Sequence, residues 1–211
     1  MVAFATPVIS PYDAVIFDFD GTLVDTMPLH YEAYRRTFAE IDIELAPADY
    51  YDHVGGAARE TIPRFLRGRP SRWSVTQIHA RKQEHADALL RTQDVPRLAT
   101  SALLPLLHGR VPMAIASSGS RPAIELVLER LGWTAYFEAV VTGADVPHGK
   151  PAPDLFLAAA ARLAVPPARC LAFEDTDDGV ESARRAEMAV VDVRDAIAPS
   201  AAMIGRRRGP A

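Results

Sequence analysis

A parallel β-sheet covered by helices on both faces, with a long helical insertion after its first strand, is the α/β fold that this sequence predicts. Three observations predict it. Five short runs are apolar throughout rather than in alternation, as strands buried on both faces are. The stretches between the later runs carry apolar residues at i, i+3, i+4 and i+7, the spacing of a helix with one greasy face. About seventy residues of helical pattern with no strong strand separate the first run from the second.

The first strand opens the stretch "VIFDFDGTLVDT", where Val15 to Asp18 runs from apolar core into the carboxylates Asp18, Asp20 and Asp25. From Pro28 to about Pro96 the pattern is helical, with Tyr34, Phe38 and Ile41 on one face. An insertion of that size after one strand reads as a second lobe. The expected division is therefore a sheet core from residues 1–27 and 97–211 and a helical cap from 28–96, with hinges at Asp25 to Pro28 and Asp94 to Ser101. The remaining strands are "RVPMAIAS", "FEAVVT", "RCLAFED" and "AVVDV". The intervening helices show their apolar faces as Ile124, Val127, Leu128 and Leu131, and then as Phe156, Ala159, Ala160 and Leu163.

Composition sets ordinary limits. The chain has 211 residues, 49% hydrophobic and 24% charged, and a formal net charge of -4, so it has no general attraction to nucleic acid or an anionic membrane. The arginines of "RETIPRFLRGRPSR" and of the tail "GRRRGPA" read as solvated surface. The single cysteine, Cys170, sits in an apolar run and cannot form an internal disulfide, which suits a buried thiol in a reducing compartment. The N-terminal stretch is broken by Pro7, Pro11 and Asp13 and reads as neither signal peptide nor membrane span. The expectation is a cytoplasmic protein, monomeric or weakly dimeric.

In an open parallel sheet, ligands bind beyond the carboxyl ends of the strands. The first strand ends in Asp18, Asp20, Gly21 and Thr22, the second in Ser117 and Ser118, and the fourth in Glu174 and Asp175; Lys150 precedes the helix that follows the third. In extended chain, Asp18 and Asp20 point the same way roughly 6 to 7 Å apart, twice the strand rise. Gly21 lets the chain leave at angles that other residues resist. Carboxylates held close together repel unless a cation or a proton relieves them. An all-oxygen, strongly negative site selects a hard divalent cation, Mg2+, over zinc or copper, and a metal makes the site receptive to phosphate.

The segments "DFDGTLVDT", "ASSGS", "KPAPD" and "EDTDDGVESAR" resemble the four motifs of the haloacid dehalogenase superfamily, in the β-phosphoglucomutase-like branch with a helical cap on a Rossmann-like core. The similarity runs from about Tyr12 to Val193, and within the branch it is closest to bacterial phosphatases of fructose 1-phosphate and 6-phosphogluconate. The resemblance implies a Mg2+-dependent phosphatase of a small sugar phosphate. Asp18 is then the nucleophile that becomes an aspartyl-phosphate, and Asp20 the acid and base that must carry a proton near neutrality. Ser117 and Lys150 bind the transferring phosphoryl oxygens. Asp18, the backbone carbonyl of Asp20 and Asp175 hold the metal, with Glu174 in or next to its shell. His30, Arg59, Lys82 and Ser118 are implied substrate contacts, and Arg59 is the leading candidate for sugar recognition.

Other readings of the same residues are a phosphomutase, which shares every core group, and a non-enzymatic phospho-aspartate receiver, which needs neither Asp20 nor the insertion. His79 and His85 are six apart, on different sides of a helix, and are not a metal pair. Trp73 and Trp133 read as packing. One departure stands out: Glu187 occupies a position where the family usually has glycine at a helix end. A left-handed residue there strains glutamate by roughly 1 to 2 kcal/mol unless the helix ends differently.

Overall fold

The structure, a computed structural model, describes residues 9, 11–52 and 58–195, of which 58–60 by their backbone alone. Five strands form one parallel sheet: β1 (Ala14–Phe17), β2 (Met113–Ser117), β3 (Ala139–Thr142), β4 (Cys170–Glu174) and β5 (Ala189–Asp192), in the order β3-β2-β1-β4-β5. β2 to β5 lie within the runs that the sequence marks as strands, whereas β1 starts one residue before its run, at Ala14, and ends one residue before Asp18. β1 is central, with Val15 beside both Met113 and Leu171. All of its side chains are fully buried, which is why the run is apolar on both faces.

Alternation along β1 supplies two cores. Val15 and Phe17 pack with Ile124, Val127 and Leu128 of helix α6 (Arg121–Leu131), and Ala14 and Ile16 pack with Leu155, Phe156, Ala159 and Ala160 of α7 (Asp154–Arg162). The final helix, α8 (Asp177–Arg185), adds Ala183 to the second layer. The order of strands reverses at β1: the chain moves outward through β2 and β3, then crosses back to β4 and β5. The crevice at that reversal, over the carboxyl ends of β1 and β4, is the binding position of such sheets.

Between β1 and β2 the described segment contains α1 (Met27–Ala39), α2 (Pro47–Tyr51), α3 (Ala58–Leu66), α4 (Val75–Thr92) and the short α5 (Leu104–Leu107). Tyr34, Phe38 and Ile41 share a cluster with Tyr50, Ile62, Phe65 and Ile78, apart from the two sheet cores. α4 begins with a full capping box, Ser74 and Gln77 exchanging bonds. The outgoing and returning connections run side by side, since Asp25 N–H donates to Pro96 O at 2.9 Å and Leu98 N–H to Leu23 O at 3.0 Å. Trp73 packs against the helical cluster and Trp133 is buried in the sheet core. Cys170 is a buried free thiol. Among the described residues no helix is long and apolar enough to cross a membrane.

Two helix ends test the Glu187 expectation. After α6, Gly132 takes φ 69°, and Trp133 N–H reaches Leu128 O at 2.8 Å. After α8, Glu187 takes φ 61°, with Met188 N–H to Ala183 O at 3.0 Å and Glu187 N–H to Arg184 O at 2.9 Å. The second end is thus the same left-handed cap with a side chain where glycine fits best. It lies at the far end of α8 from the crevice. Glu187→Gly is expected to stabilise the protein by about 0.5 to 1 kcal/mol, the left-handed strain less the freedom that glycine adds to the unfolded chain. A urea titration should show a higher midpoint with an unchanged slope and unchanged activity; a lower midpoint would contradict it.

Candidate active site

The end of β1 is shaped by what its neighbours leave open. Asp18 N–H continues the ladder by donating to Phe173 O at 2.9 Å, and Phe19 buries itself, so the chain turns at Asp20 and Gly21. Gly21 has φ 90°, and a Cβ there would fall 2.2 Å from Asp175 Oδ2. Glycine is required twice over, for its backbone angle and for the closeness of Asp175. Thr22 Oγ1 donates to the other oxygen of Asp175 at 2.9 Å.

Lys150 reaches into this crevice from the loop between β3 and α7. Its Nζ donates at 2.5 Å to Asp18 Oδ1 and at 2.5 Å to Glu174 Oε1, with side-chain exposures of only 7%, 8% and 1% for the three residues. The second oxygen of Glu174 accepts from Asp175 N–H, Thr176 N–H and the Thr176 hydroxyl at 2.7, 2.8 and 3.0 Å. Both oxygens of Glu174 are therefore engaged by the ammonium and by the loop that carries Asp175. The room for that carboxylate comes from Gly179, where a Cβ would lie 1.7 Å from Glu174 Oε1. In this arrangement the Glu174 carboxylate ties Lys150 to the Asp175 loop.

Charge at the crevice is unbalanced. Burial, with the charges of Glu174 and Asp175, pushes the Asp18 carboxyl up against the pull of Lys150. Burial and Glu174 likewise raise Asp175, to about 6. Lys150 is held above its ordinary value by Asp18 and Glu174 in spite of its burial. Three carboxylates to one ammonium leave room for a divalent cation. Among the described residues no three His, Cys, Asp or Glu side chains converge to hold a metal by themselves. Asp18, Asp175 and the backbone carbonyl of Asp20 would make a sparse oxygen set, the kind that suits Mg2+, which keeps water and substrate oxygens in its shell.

Asp20 belongs to the other wall. Its Oδ1 accepts from the Thr26 hydroxyl and lies 3.6 Å from His30 Nε2. His30 Nδ1 is 3.2 Å from Lys82 Nζ, which also donates to Gln83 Oε1 at 3.1 Å and sits 5.2 Å from the ring of Tyr34. Burial raises Asp20, but His30, Thr26 and the charge of Lys82 outweigh it and hold the carboxyl below its ordinary range. The described partners of Asp20 thus come from α1, its N-cap and α4.

One cavity of about 530 Å3 is lined by Asp18, Asp20, Ser117, Ser118, Lys150, Glu174 and Asp175 together with His30, Tyr34 and Lys82. Ser117 is buried, its Oγ accepting from Gly119 N–H at 3.0 Å, whereas Ser118 is exposed. The side chain of Arg59 lies outside the described residues. His85 bonds Glu40 at 2.7 Å and has no part in the cavity. Sequence reasoning missed Thr26 and Tyr34; the first sits in the quoted aspartate stretch, and the second carries only a packing signal.

A family model described as haloacid dehalogenase-like hydrolase matches residues 12–187. A fructose-1-phosphate phosphatase, YqaB, of Escherichia coli (strain K12) is 36% identical over 196 residues, 87% of this chain and 97% of the relative. A β-phosphoglucomutase of Bacillus subtilis (strain 168) is 32% identical over 189 residues, 85% of this chain and 82% of the relative. Among solved structures, CbbY from Rhodobacter sphaeroides in complex with phosphate matches with a TM-score of 0.78 at 29% identity, covering 85% of this chain and 84% of that one.

Lys82 generates a prediction of its own. Burial lowers its ammonium from 10.5 to about 8. A folded value below the unfolded one means that the native state binds fewer protons between these limits, so the stability cost is full below about pH 8 and fades toward pH 10.5. Lys82→Met should therefore gain roughly 1 to 3 kcal/mol at pH 7 and much less near pH 10, while losing activity. Denaturant midpoints at the two pH values check it; a variant destabilised at pH 7 would contradict the assignment.

Proposed function

The chain belongs to the haloacid dehalogenase-like hydrolase family, and on that premise we propose that it is a Mg2+-dependent phosphatase of a small sugar phosphate, such as fructose 1-phosphate or 6-phosphogluconate, acting through an aspartyl-phosphate on Asp18. The observation that carries this reading is the buried Lys150 ammonium beside Asp18, under a cavity that Asp20 enters from the opposite wall. One carboxylate is placed to attack phosphorus, and a second stands where the leaving oxygen must be protonated.

Asp18 attacks, the P–O bond to the sugar breaks, and the leaving alkoxide takes a proton from Asp20. Water then attacks phosphorus while Asp20 takes its proton, and Asp18 is released with inorganic phosphate. Ser117 and Lys150 hold the phosphoryl oxygens, where negative charge spreads in the transition state. Asp18, the backbone carbonyl of Asp20 and Asp175 are the groups to hold Mg2+, whose contribution when bound is to neutralise phosphoryl charge and the repulsion between these carboxylates. Glu174 positions Lys150. His30, Thr26 and Lys82 favour Asp20 as the base of the second step, and the phosphate dianion arriving beside it raises its proton affinity for the first.

We further place the 28–96 segment as a cap that closes over the sugar, with His30 and Lys82 directed at Asp20 and the leaving group. A phosphomutase would use the same core and differ in what reaches the aspartyl-phosphate. The helical insertion and Asp20 are features that a receiver does not need. A cytoplasmic location and a monomeric or weakly dimeric state complete the proposal.

Asp20→Ala is expected to lower kcat/KM for sugar phosphates by at least about a hundredfold, the usual span of acid-base catalysis. p-Nitrophenyl phosphate, whose phenolate leaves unaided, should lose clearly less. Steady-state kinetics on both substrates checks this, and equal losses would remove Asp20 from the acid role.

A further inference from the structure

Helix α8 carries a buried hydroxyl to which the chemistry above gives no part. Ser182 lies on its inward face with Gly179, Val180 and Ala183, fully buried at a position that an apolar side chain would fill. A serine inside a helix usually turns to water or bonds the carbonyl four residues back. Ser182 does neither: its Oγ donates at 2.6 Å to the carbonyl of Ala152, two residues after Lys150. Resting on the phosphatase reading above, we propose that Ser182 is a positioning residue for Lys150, setting through the Ala152 carbonyl how the ammonium meets the phosphoryl group.

Support for Lys150 is uneven along its loop. Before it, Pro147, His148 and Gly149 are exposed, and the side-chain contact of that stretch is His148 Nδ1, 3.1 Å from the Asp154 carboxylate. After it, the chain is held from α8. Ser182 takes the Ala152 carbonyl, and Arg185, one turn on, donates to the Pro151 carbonyl at 3.3 Å.

The same side of α8 also reaches the far end of Lys150. Gly179, one turn before Ser182, leaves the room for Glu174, whose Oε1 accepts from Lys150 Nζ at 2.5 Å. Gly179, Ser182 and Arg185 are spaced by three and so lie along one stripe of the helix. The backbone beside Lys150 and its ammonium are thus both referred to one rigid element, and that element starts at the loop carrying Asp175.

The stem of lysine explains why both ends need holding. Four flexible carbons separate Nζ from the backbone, so the contacts of Nζ with Asp18 and Glu174 do not fix the chain behind it. Without the Ser182 hydroxyl, the Ala152 carbonyl loses its bond to α8 and the loop can shift. Lys150 then moves relative to Ser117, which stands on β2 and stays in place.

The test is Ser182→Ala, which removes the hydroxyl and adds no bulk, assayed at saturating Mg2+ with a sugar phosphate, with p-nitrophenyl phosphate and with inorganic phosphate as inhibitor. Both KM values and the phosphate inhibition constant should rise together by a factor of about three to ten, and kcat/KM should fall at least about tenfold on both substrates, within the span of a small misplacement. Arg185→Met, which removes the longer and more exposed bond, should move the same constants in the same direction by less. A merely structural loss reduces the amount of active enzyme: kcat and the denaturant midpoint would fall while KM and phosphate inhibition kept their wild-type values. That result would overturn the proposal. So would a rise in KM confined to the sugar phosphate, which would put the effect at the leaving alcohol. A wild-type protein that releases phosphate from neither substrate would instead remove the phosphatase reading, and the proposal with it.

Discussion

One ammonium shared by two buried carboxylates organises this structure. Lys150 comes from a loop after β3, Asp18 from the end of β1 and Glu174 from the end of β4, and none of the three has water to fall back on. Removing Lys150 would leave two buried carboxylates without their shared counter-ion, a situation that costs several kcal/mol. The parallel register of β1 and β4, which sets Phe17 beside Phe173, brings the two carboxylates to the same edge. Gly179 and Gly21 then leave the space in which Glu174 and Asp175 can stand so close.

The two walls of the cavity push their carboxyls in opposite directions. On the sheet side, burial and mutual repulsion raise Asp18 and Asp175; on the cap side, His30, Thr26 and Lys82 lower Asp20. Carboxyls separated in this way can take different parts in one reaction. The groups that lower Asp20 come from α1 and α4, which are inserted between β1 and β2, so a movement of the insertion would also change the proton affinity of Asp20.

Much of the fold was legible because its signals are local. Strands buried on both faces must be continuously apolar; β2 to β5 each fall inside such a run, and β1 is offset from its run by one residue. The aspartate motif was legible for the same reason, as a strand end followed by glycine. What escaped was nonlocal. Nothing in the sequence joins Lys82 to His30 across fifty-two positions, and only the packing of α1 on α4 does so. Nor does the sequence show that one oxygen of Glu174 accepts two backbone N–H groups and a hydroxyl from the loop after β4. Likewise, the sequence does not show that Asp20 meets the Thr26 hydroxyl and His30. Glu187 shows the reverse: its left-handed strain could be inferred from a missing glycine alone.

The central claim is that Asp18 carries the phosphoryl group during turnover. Quenching the enzyme with borohydride while it hydrolyses a sugar phosphate in the presence of Mg2+ reduces an acyl phosphate to the alcohol, and peptide mass spectrometry locates the residue. The account predicts substrate-dependent conversion of Asp18 to homoserine, with Asp20 and Asp175 unmodified. Turnover with no conversion at Asp18, or with conversion at another carboxylate, would contradict it.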